Sequence, residues 1–246
     1  MRYHLFLMLL IGCVIAVAQE KGPETIAILP FENNSVVDKE KLDPLKKGLA
    51  DMLTTEMSKV KALKVLERAK IQTVVEELNL NETELIDKNT TQKMGKLLGA
   101  HVMLFGGFTN LFDDKLRIDI RIVRTETGEV LKAEEETGDL KQFLPMLQSL
   151  VKKVASNLDV ALSSDEEHAL GASDDGKFNS YVLYAQGVDL EDSAIKTERA
   201  GKKEDAITMY DNARIAYKKS WEESQNYEPA KNKMEEMAAK VARLKK

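Results

Sequence analysis

The chain has 246 residues, of which 43% are hydrophobic and 31% are charged. This length allows one large core or a domain with an appendage. The formal net charge of −5 excludes a general polyanion binder, because phosphate backbones are bound by concentrated Lys and Arg. We therefore expect no nucleic-acid partner.

Residues 1–18 have the pattern of a secretory signal peptide. Arg2 precedes an apolar run over residues 5–18, and the chain turns polar at Gln19. The run is shorter than the roughly 20 apolar residues of a membrane span. Such a basic start, apolar stretch and small-residue end predict export from the cytoplasm.

Two cleavage sites compete, and an uncleaved anchor is the third alternative. An A-x-A pattern at residues 16–18 favours cleavage before Gln19. The sequence Leu10-Ile11-Gly12-Cys13 instead resembles a bacterial lipobox, in which Cys13 would be lipidated. Cys13 is the only cysteine, so cleavage before Gln19 would leave no disulfide, thiolate metal site or cysteine nucleophile.

Residues 24–162 predict an α/β domain. Apolar runs at residues 25–31, 63–66 and 102–105 are typical of buried strands, and residues 116–122 and 130–137 form a predicted hairpin. Helical spacing of apolar residues occurs at 45–57, 71–78, 94–98 and 143–158. The order predicts a mixed sheet of about five strands, parallel first and antiparallel later, covered by helices.

Residues 163–177 are rich in Ser, Asp, Glu and Gly and are predicted to form a linker. Residues 178–246 predict a helical tail with segments at 179–199, 204–223 and 229–244. The tail resembles a tetratricopeptide-like helical hairpin, with longer spacings than that repeat has. Its matching residues are Gly187, Gly201, Ala206, Tyr210, Ala213 and Pro229. Because such arrays need about three repeats, we expect this tail to pack on the first domain or on a partner.

Six short segments in order carry a resemblance to a known family. They are IAILPFEN at 26–33, GLADMLTT at 48–55, VLER at 65–68, MGKLLGA at 94–100, FGG at 105–107 and TGEV at 127–130. With them, residues 25–162 resemble the curli production assembly/transport (CsgG-type) family and its TolB-N-like relatives. The resemblance implies an envelope protein with this α/β fold.

The sequence departs from the pore-forming members of that family. Those members insert two long membrane hairpins, whose strands need about nine to eleven residues each. Here only residues 110–114 join the third and fourth predicted strands, and Gly138-Asp139 leads almost directly into the closing helix. We therefore do not extend the pore function to this chain.

Residues for catalysis are scarce. The three histidines are His4 in the signal, His101 before a strand and His168 in the linker. The chain lacks a phosphate-binding glycine loop, a G-x-S-x-G elbow and an H-E-x-x-H pair. Asp113 and Asp114 could bind a cation, but adjacent carboxylates in a turn are usually solvated. We predict no enzyme activity, no cofactor and no metal site.

Each of three further features has two possible interpretations. The acidic run at residues 134–136 either protects an edge strand from unwanted pairing or is a docking surface. Tyr217 and Trp221 on the second tail helix either pack between helices or contact a partner. The basic C-terminal end complements the helix dipole, with contact to anionic lipid as the alternative.

Together these features predict a non-enzymatic cell-envelope assembly or scaffold protein that acts through protein–protein contacts. We expect it in the periplasm or at the periplasmic face of the outer membrane. The alternative is a lipoprotein subunit of an outer-membrane, curli-type secretion complex. The predicted partners are other envelope proteins or further copies of the chain. Membrane contact is expected only if Cys13 is lipidated.

Overall fold

The computed structural model describes residues 23–80, 88–171, 177–225 and 227–246. The strands are β1 (Glu24–Ile28), β2 (Glu32–Asn33), β3 (Leu63–Val65), β4 (Val102–Leu111), β5 (Lys115–Arg124) and β6 (Val130–Asp139). The helices are α1 (Lys39–Leu42), α2 (Leu45–Met57), α3 (Arg68–Glu77), α4 (Lys88–Leu98), α5 (Phe143–Asn157), α6 (Ser164–Ala169), α7 (Phe178–Arg199), α8 (Lys203–Glu223) and α9 (Glu228–Leu244).

The strands form one mixed sheet in the order β3-β1-β4-β5-β6, and the short β2 pairs with the far end of β4. Pairing of β1 with β3 and β4 is parallel, and pairing along β4-β5-β6 is antiparallel. The predicted fold class, a mixed sheet with helices and a helical C-terminal part, is confirmed. The short β2 is the strand that the sequence pattern did not indicate.

One face of the sheet carries the larger core, which extends into the tail. The alternating residues Leu116, Ile118, Ile120 and Ile122 of β5 are all buried on this face. Helices α2 and α5 cover it, and α7 packs against both of them. The ring of Phe143 on α5 lies 5.2 Å from that of Phe178 and 5.0 Å from that of Tyr181, both on α7.

The other face of the sheet is only partly covered. Helices α3 and α4 pack over β1, β3 and the first half of β4, around Ala27, Leu29, Met103 and Phe105. On β5 and β6, Arg121, Ala133 and Glu135 of this face are exposed. Among the described residues, no helix lies over β5 and β6 on this face of the sheet. One face of β5 is therefore exposed, as its alternating sequence predicted.

The last three helices lie side by side, with α8 in contact with α7 and α9. A further helix, α6, lies within the segment predicted as a linker. The hydroxyl of Ser163 accepts a hydrogen bond from the Glu166 backbone, and the Glu166 carboxylate bonds back to Ser163. This reciprocal capping satisfies two free N–H groups of a short helix. The division into domain, linker and tail stays a prediction.

Candidate functional site

A network of charged side chains joins the α/β domain to the tail, and we call it the charged junction. At its centre lies Arg68, the first residue of α3, whose side chain is 12% exposed. Its Nε atom lies 3.1 Å from Asp51 Oδ1 on α2. Its terminal nitrogens contact Asp192 on α7 and lie 3.5 Å from Glu191 Oε2. One guanidinium therefore pairs carboxylates of two separate helices.

Glu191 is the second centre of the charged junction. Its side chain is 3% exposed and accepts a hydrogen bond of 2.8 Å from the Tyr217 hydroxyl. From α9, Lys233 Nζ lies 3.0 Å from Glu191 Oε2 and Lys240 Nζ lies 3.3 Å from Oε1. The Tyr184 hydroxyl donates to Asp51 Oδ2 at 2.6 Å. The junction therefore joins α2, α3, α7, α8 and α9.

The surroundings keep these groups in their usual charge states. Burial alone would raise the pKa of Glu191, but Lys233, Arg68, Lys240 and the Tyr217 hydroxyl together lower it to about 2. Burial and the neighbouring carboxylates raise the pKa of Tyr184 and Tyr217 well above the ordinary value. Burial opposes the charge of Arg68, but Asp51 and Glu191 outweigh it and raise its pKa. Both tyrosines therefore stay protonated at neutral pH.

The chemistry of the charged junction favours attachment over catalysis. Its carboxylates are paired with cations, so none is a free general base. Its tyrosines are protonated donors with carboxylate partners, so none is a ready nucleophile. Buried charges need such partners because an unpaired charge costs several kcal/mol in a protein interior. We conclude that the junction holds the tail on the domain.

A cavity of about 490 Å³ opens at the end of the sheet where β1 and β4 begin, and we call it the sheet-end cavity. Gly95, Gly99 and Ala100 are among the residues that line it, and Lys96 and Glu126 at its edge are exposed. Its lining residues are Glu24, Gly95, Lys96, Gly99, Ala100, His101, Arg124, Thr125 and Glu126. The Glu24 side chain is 4% exposed, and its Oε1 atom lies 3.2 Å from Arg124 Nη1.

The opposite end of the sheet presents bulky apolar side chains to solvent, and we call this region the hairpin tip. It consists of the β4–β5 turn and the adjacent loop after β2. Phe112 is 81% exposed and Val36 is 91% exposed. The remaining members of the hairpin tip are Val37, Leu111, Asp113 and Asp114. Exposed bulky groups side by side are typical of contact surfaces.

The acidic run lies on β6, which is an edge strand of the sheet. Glu136 contacts Ser149 and lies 3.0 Å from Lys153 Nζ, while Glu134 accepts a 2.9 Å bond from Asn157. Lys153 Nζ also donates to the backbone oxygen of Glu135 at 2.6 Å. A Lys that occupies an edge carbonyl discourages strand addition. These contacts support the protective interpretation of the run.

The predicted contact residues have different surroundings. Tyr217 is fully buried, with its hydroxyl on Glu191, so it packs between helices. Trp221 is partly buried, and Lys231 Nζ lies 5.6 Å from the centre of its ring. A role for Trp221 in partner contact stays a prediction. Cys13 lies outside the described residues, and its lipidation stays a prediction as well.

The remaining candidate residues lie far apart. His101 is at the sheet-end cavity, with Nδ1 3.4 Å from Glu24 Oε2, whereas Asp113 and Asp114 are at the hairpin tip. In the described part of the chain, no group of three or more His, Cys, Asp or Glu side chains could hold a metal ion. Within the same ranges, no helix is long and apolar enough to cross a bilayer.

The charged junction was not predicted from the sequence, although a signal for it exists. Asp51 lies between Ala50 and Met52, in the same helical stretch as the apolar stripe of α2. Glu191 follows Tyr184 by seven residues, which places both on one face of α7. A charged residue on the buried face of a helix indicates a buried partner.

Comparison with known proteins supports part of the predicted resemblance. The model of the family described as curli production assembly/transport component CsgG matches residues 14–117. This part of the chain is therefore similar to the CsgG family, as the segments between residues 26 and 107 predicted. A search of curated proteins found no match to the sequence.

Several solved structures resemble part of the chain with low sequence identity and low structural similarity. The LpoB C-terminal domain from Salmonella enterica is 11% identical, with a TM-score of 0.35, over 50% of this chain and 87% of that chain. Lipoprotein GNA1162 from Neisseria meningitidis is 16% identical, with a TM-score of 0.38, over 57% of this chain and 100% of that chain. TolB from Acinetobacter baumannii is 13% identical, with a TM-score of 0.40, over 56% of this chain and 29% of that chain. These values are too low to transfer a partner or an activity to this chain.

Proposed function

We propose that the protein is a non-enzymatic assembly or scaffold protein of the bacterial cell envelope that acts through protein–protein contacts. The match of residues 14–117 to an assembly/transport component carries this proposal. The signal-like pattern of residues 1–18 supports an envelope location. Arg68 and Glu191 form ion pairs with partners inside the molecule, which supports a structural role for them over a catalytic one.

A direct test is affinity purification of the tagged full chain from its own cells after mild chemical cross-linking. We expect envelope proteins to be recovered in amounts comparable with the bait, and the bait itself in the envelope fraction. Recovery from the cytosol, or of the bait alone from the envelope, would contradict the proposal. The matched control is an equally tagged exported protein of similar size and charge.

A lipoprotein subunit of a secretion complex is the second candidate, and the Leu10-Ile11-Gly12-Cys13 sequence favours it. The intact mass of the mature protein separates the two. A soluble chain that begins at Gln19 excludes the lipoprotein, whereas a triacylated chain that begins at Cys13 supports it. A lipidated scaffold would also show the second mass, so the recovered partners must then distinguish a secretion complex from a scaffold.

A further inference from the structure

The charged junction borders a cavity of about 360 Å³ between the α/β domain and the tail, and we call it the junction cavity. Residues of α2, α3, α7 and α9 line it. Its volume lies near the lower end of the range for cavities that hold small ligands, and such cavities are often found between domains. The size and the position therefore favour a small molecule as the occupant.

The buried charges of the junction cavity do not cancel. Among the residues that the structure describes, three cations and two carboxylates line it with side chains that are at most 24% exposed. The cations are Arg68, Lys233 and Lys240, and the carboxylates are Asp51 and Glu191. This inner lining therefore has an excess of one positive charge, and a buried charge needs a partner of opposite sign.

Two neighbouring carboxylates do not remove this excess. Asp192 contacts Arg68, but it has a second cation, Lys47, at 3.5 Å and lies outside the lining of the cavity. Glu67 lies at the rim and is exposed, so water and salt screen its charge. The balancing charge must therefore come from elsewhere.

Glu236 supplies the balancing charge from the rim of the cavity. Its carboxylate lies 2.9 Å from Lys240 Nζ and 3.7 Å from Lys233 Nζ, and all three residues belong to α9. The Glu236 side chain is 47% exposed. Half-exposed pairs between neighbouring turns of one helix are weak, because water competes for both charges. A carboxylate from another molecule can therefore take the place of Glu236.

We propose that the junction cavity binds a small organic monocarboxylate, whose carboxylate replaces that of Glu236 beside Lys233 and Lys240. The cations are already held in position, because Glu191 contacts Arg68 and both lysines. Pre-organised groups lose little conformational freedom when a ligand binds. A single negative charge on the ligand matches the excess of one positive charge.

The rest of the lining favours a short apolar chain on this ligand. Ile195 and Ala69 line the cavity and offer apolar surface beside the charged groups. Because the ligand would contact helices of both the domain and the tail, its binding would stabilise the docked tail by mass action. The proposal does not rest on the proposed envelope function, since it concerns the purified chain alone.

The test is an NMR titration of the ¹⁵N-labelled chain from residue 19, which contains every described residue, with sodium propionate up to about 50 mM. Sodium chloride at equal concentration controls for ionic strength, and propionamide is the uncharged analogue. We expect saturable shifts of the Arg68, Ile195 and Lys240 amide signals with propionate alone, and a Kd of about 1 mM or lower. No saturable shift, equal shifts with propionamide, or shifts confined to residues away from the cavity would overturn the proposal.

Two variants of α9 have opposite expected effects and make the test specific. Glu236→Gln removes the carboxylate that competes with the ligand, so propionate should bind at least about fivefold more tightly. Lys240→Met removes one cation and should weaken binding at least about tenfold. Circular dichroism checks that each chain folds.

Glu235→Gln is the matched control for Glu236→Gln. Glu235 is the preceding residue of the same helix, is exposed and does not line the cavity. The control makes the same change in net charge and should leave the Kd for propionate unchanged. A Glu236→Gln chain that binds propionate no more tightly than the control would overturn the proposal, whatever the result for Lys240→Met.

Discussion

At the residue scale, Arg68 and Glu191 have opposite charges and similar surroundings. Each has several partners of opposite charge from different elements, and each is largely buried. Ion pairs in such positions add little net stability over an apolar packing of equal volume, because both charges lose their water. Loss of one member is costly, since it leaves the others buried and unpaired. The network therefore fixes which surfaces meet.

Arg68→Met tests this dependence. Methionine keeps much of the side-chain length but leaves Asp51 and Asp192 without their guanidinium, so we expect a loss of about 3 kcal/mol in the free energy of unfolding. Arg199→Met is the matched control. Arg199 also joins α7 to α3, through Glu76 and Thr73, but its side chain is 47% exposed. The control should lose no more than about 1 kcal/mol. Urea unfolding measures both, and equal losses would contradict the role of the junction.

Glu191 gives the fold a specific dependence on pH. Its folded-state pKa of about 2 lies below the ordinary value of 4.5. A lowered carboxyl pKa stabilises the folded state above the unfolded pKa, and this contribution is lost as the pH falls towards the folded value. The wild type should lose about 3 kcal/mol through this residue between about pH 5 and pH 2.

The comparison with Glu191→Gln isolates that contribution from those of other carboxyl groups. At neutral pH the variant should be the less stable chain, because Arg68, Lys233 and Lys240 lose a shared carboxylate. The difference should shrink as the pH falls, and urea midpoints across this range measure it. A difference that stays constant with pH would show that Glu191 does not titrate as expected.

The residues of the charged junction could not be assembled from the sequence. Asp51 and Glu191 are 140 positions apart by their residue numbers, and local patterns give no information on which helices meet. Charged residues are also usually exposed, so the expectation for each one alone is a solvated side chain. The position of Asp51 within an apolar stripe was the available signal, and it needed a partner that only the tertiary structure supplies.

At the element scale, α2 of the domain and α7 of the tail pack closely at Gly48. A Cβ atom on Gly48 would lie 2.3 Å from the Cβ of Ala185 and 2.7 Å from its Cα. Two helices can approach this closely only where both residues are small. The glycine in the GLADMLTT segment therefore allows the tail helix α7 to pack closely on α2.

Gly48→Ala should separate these two helices. We expect a loss of about 2 kcal/mol in the free energy of unfolding, because overpacking costs more than the gain in helix propensity. The double variant Gly48→Ala with Ala185→Gly should recover part of the loss, since the nearest clashing atom is removed. Thermal or urea unfolding of the two single variants and the double variant measures the coupling. Independent, additive effects would contradict a direct contact.

Element types were largely predictable where one periodicity dominates. Leu116, Ile118 and Ile120 alternate with charged residues, and that pattern predicted β5 and its exposed face. Helix α6 was missed, although Ser163 and Glu166 have the spacing of a capping box. Its short acidic sequence has no apolar period, so the composition indicated a linker instead. Local capping chemistry decided the structure there.

At the scale of the whole molecule, the α/β domain and the tail share one core. Buried residues of α2, α5, α7, α8 and α9 form a single cluster with those of the sheet. Because the tail has no apolar interior separate from that of the domain, we expect one cooperative unfolding transition for the entire chain. Calorimetry should give equal calorimetric and van't Hoff enthalpies. Two separate transitions would show that the tail folds and unfolds by itself.

The sequence predicted the three tail helices and left open what covers them. Amphipathic periodicity shows that a helix has an apolar face, and it does not identify the neighbour. Tyr181 and Tyr184 of α7 turned out to lie between the domain and Tyr227. Large aromatic residues on an otherwise highly charged helix indicate that the helix is buried on more than one side.

The shared core has a genetic consequence. A stop codon early in the tail would remove the side chains that cover α2 and α5, and it would leave Asp51 and Arg68 without several of their partners. We expect cells to degrade such a truncated product, so the mutation should behave as a complete loss of the gene. A protease that cuts the chain between residues 171 and 177 would have the opposite outcome, since the two pieces would remain together as one particle.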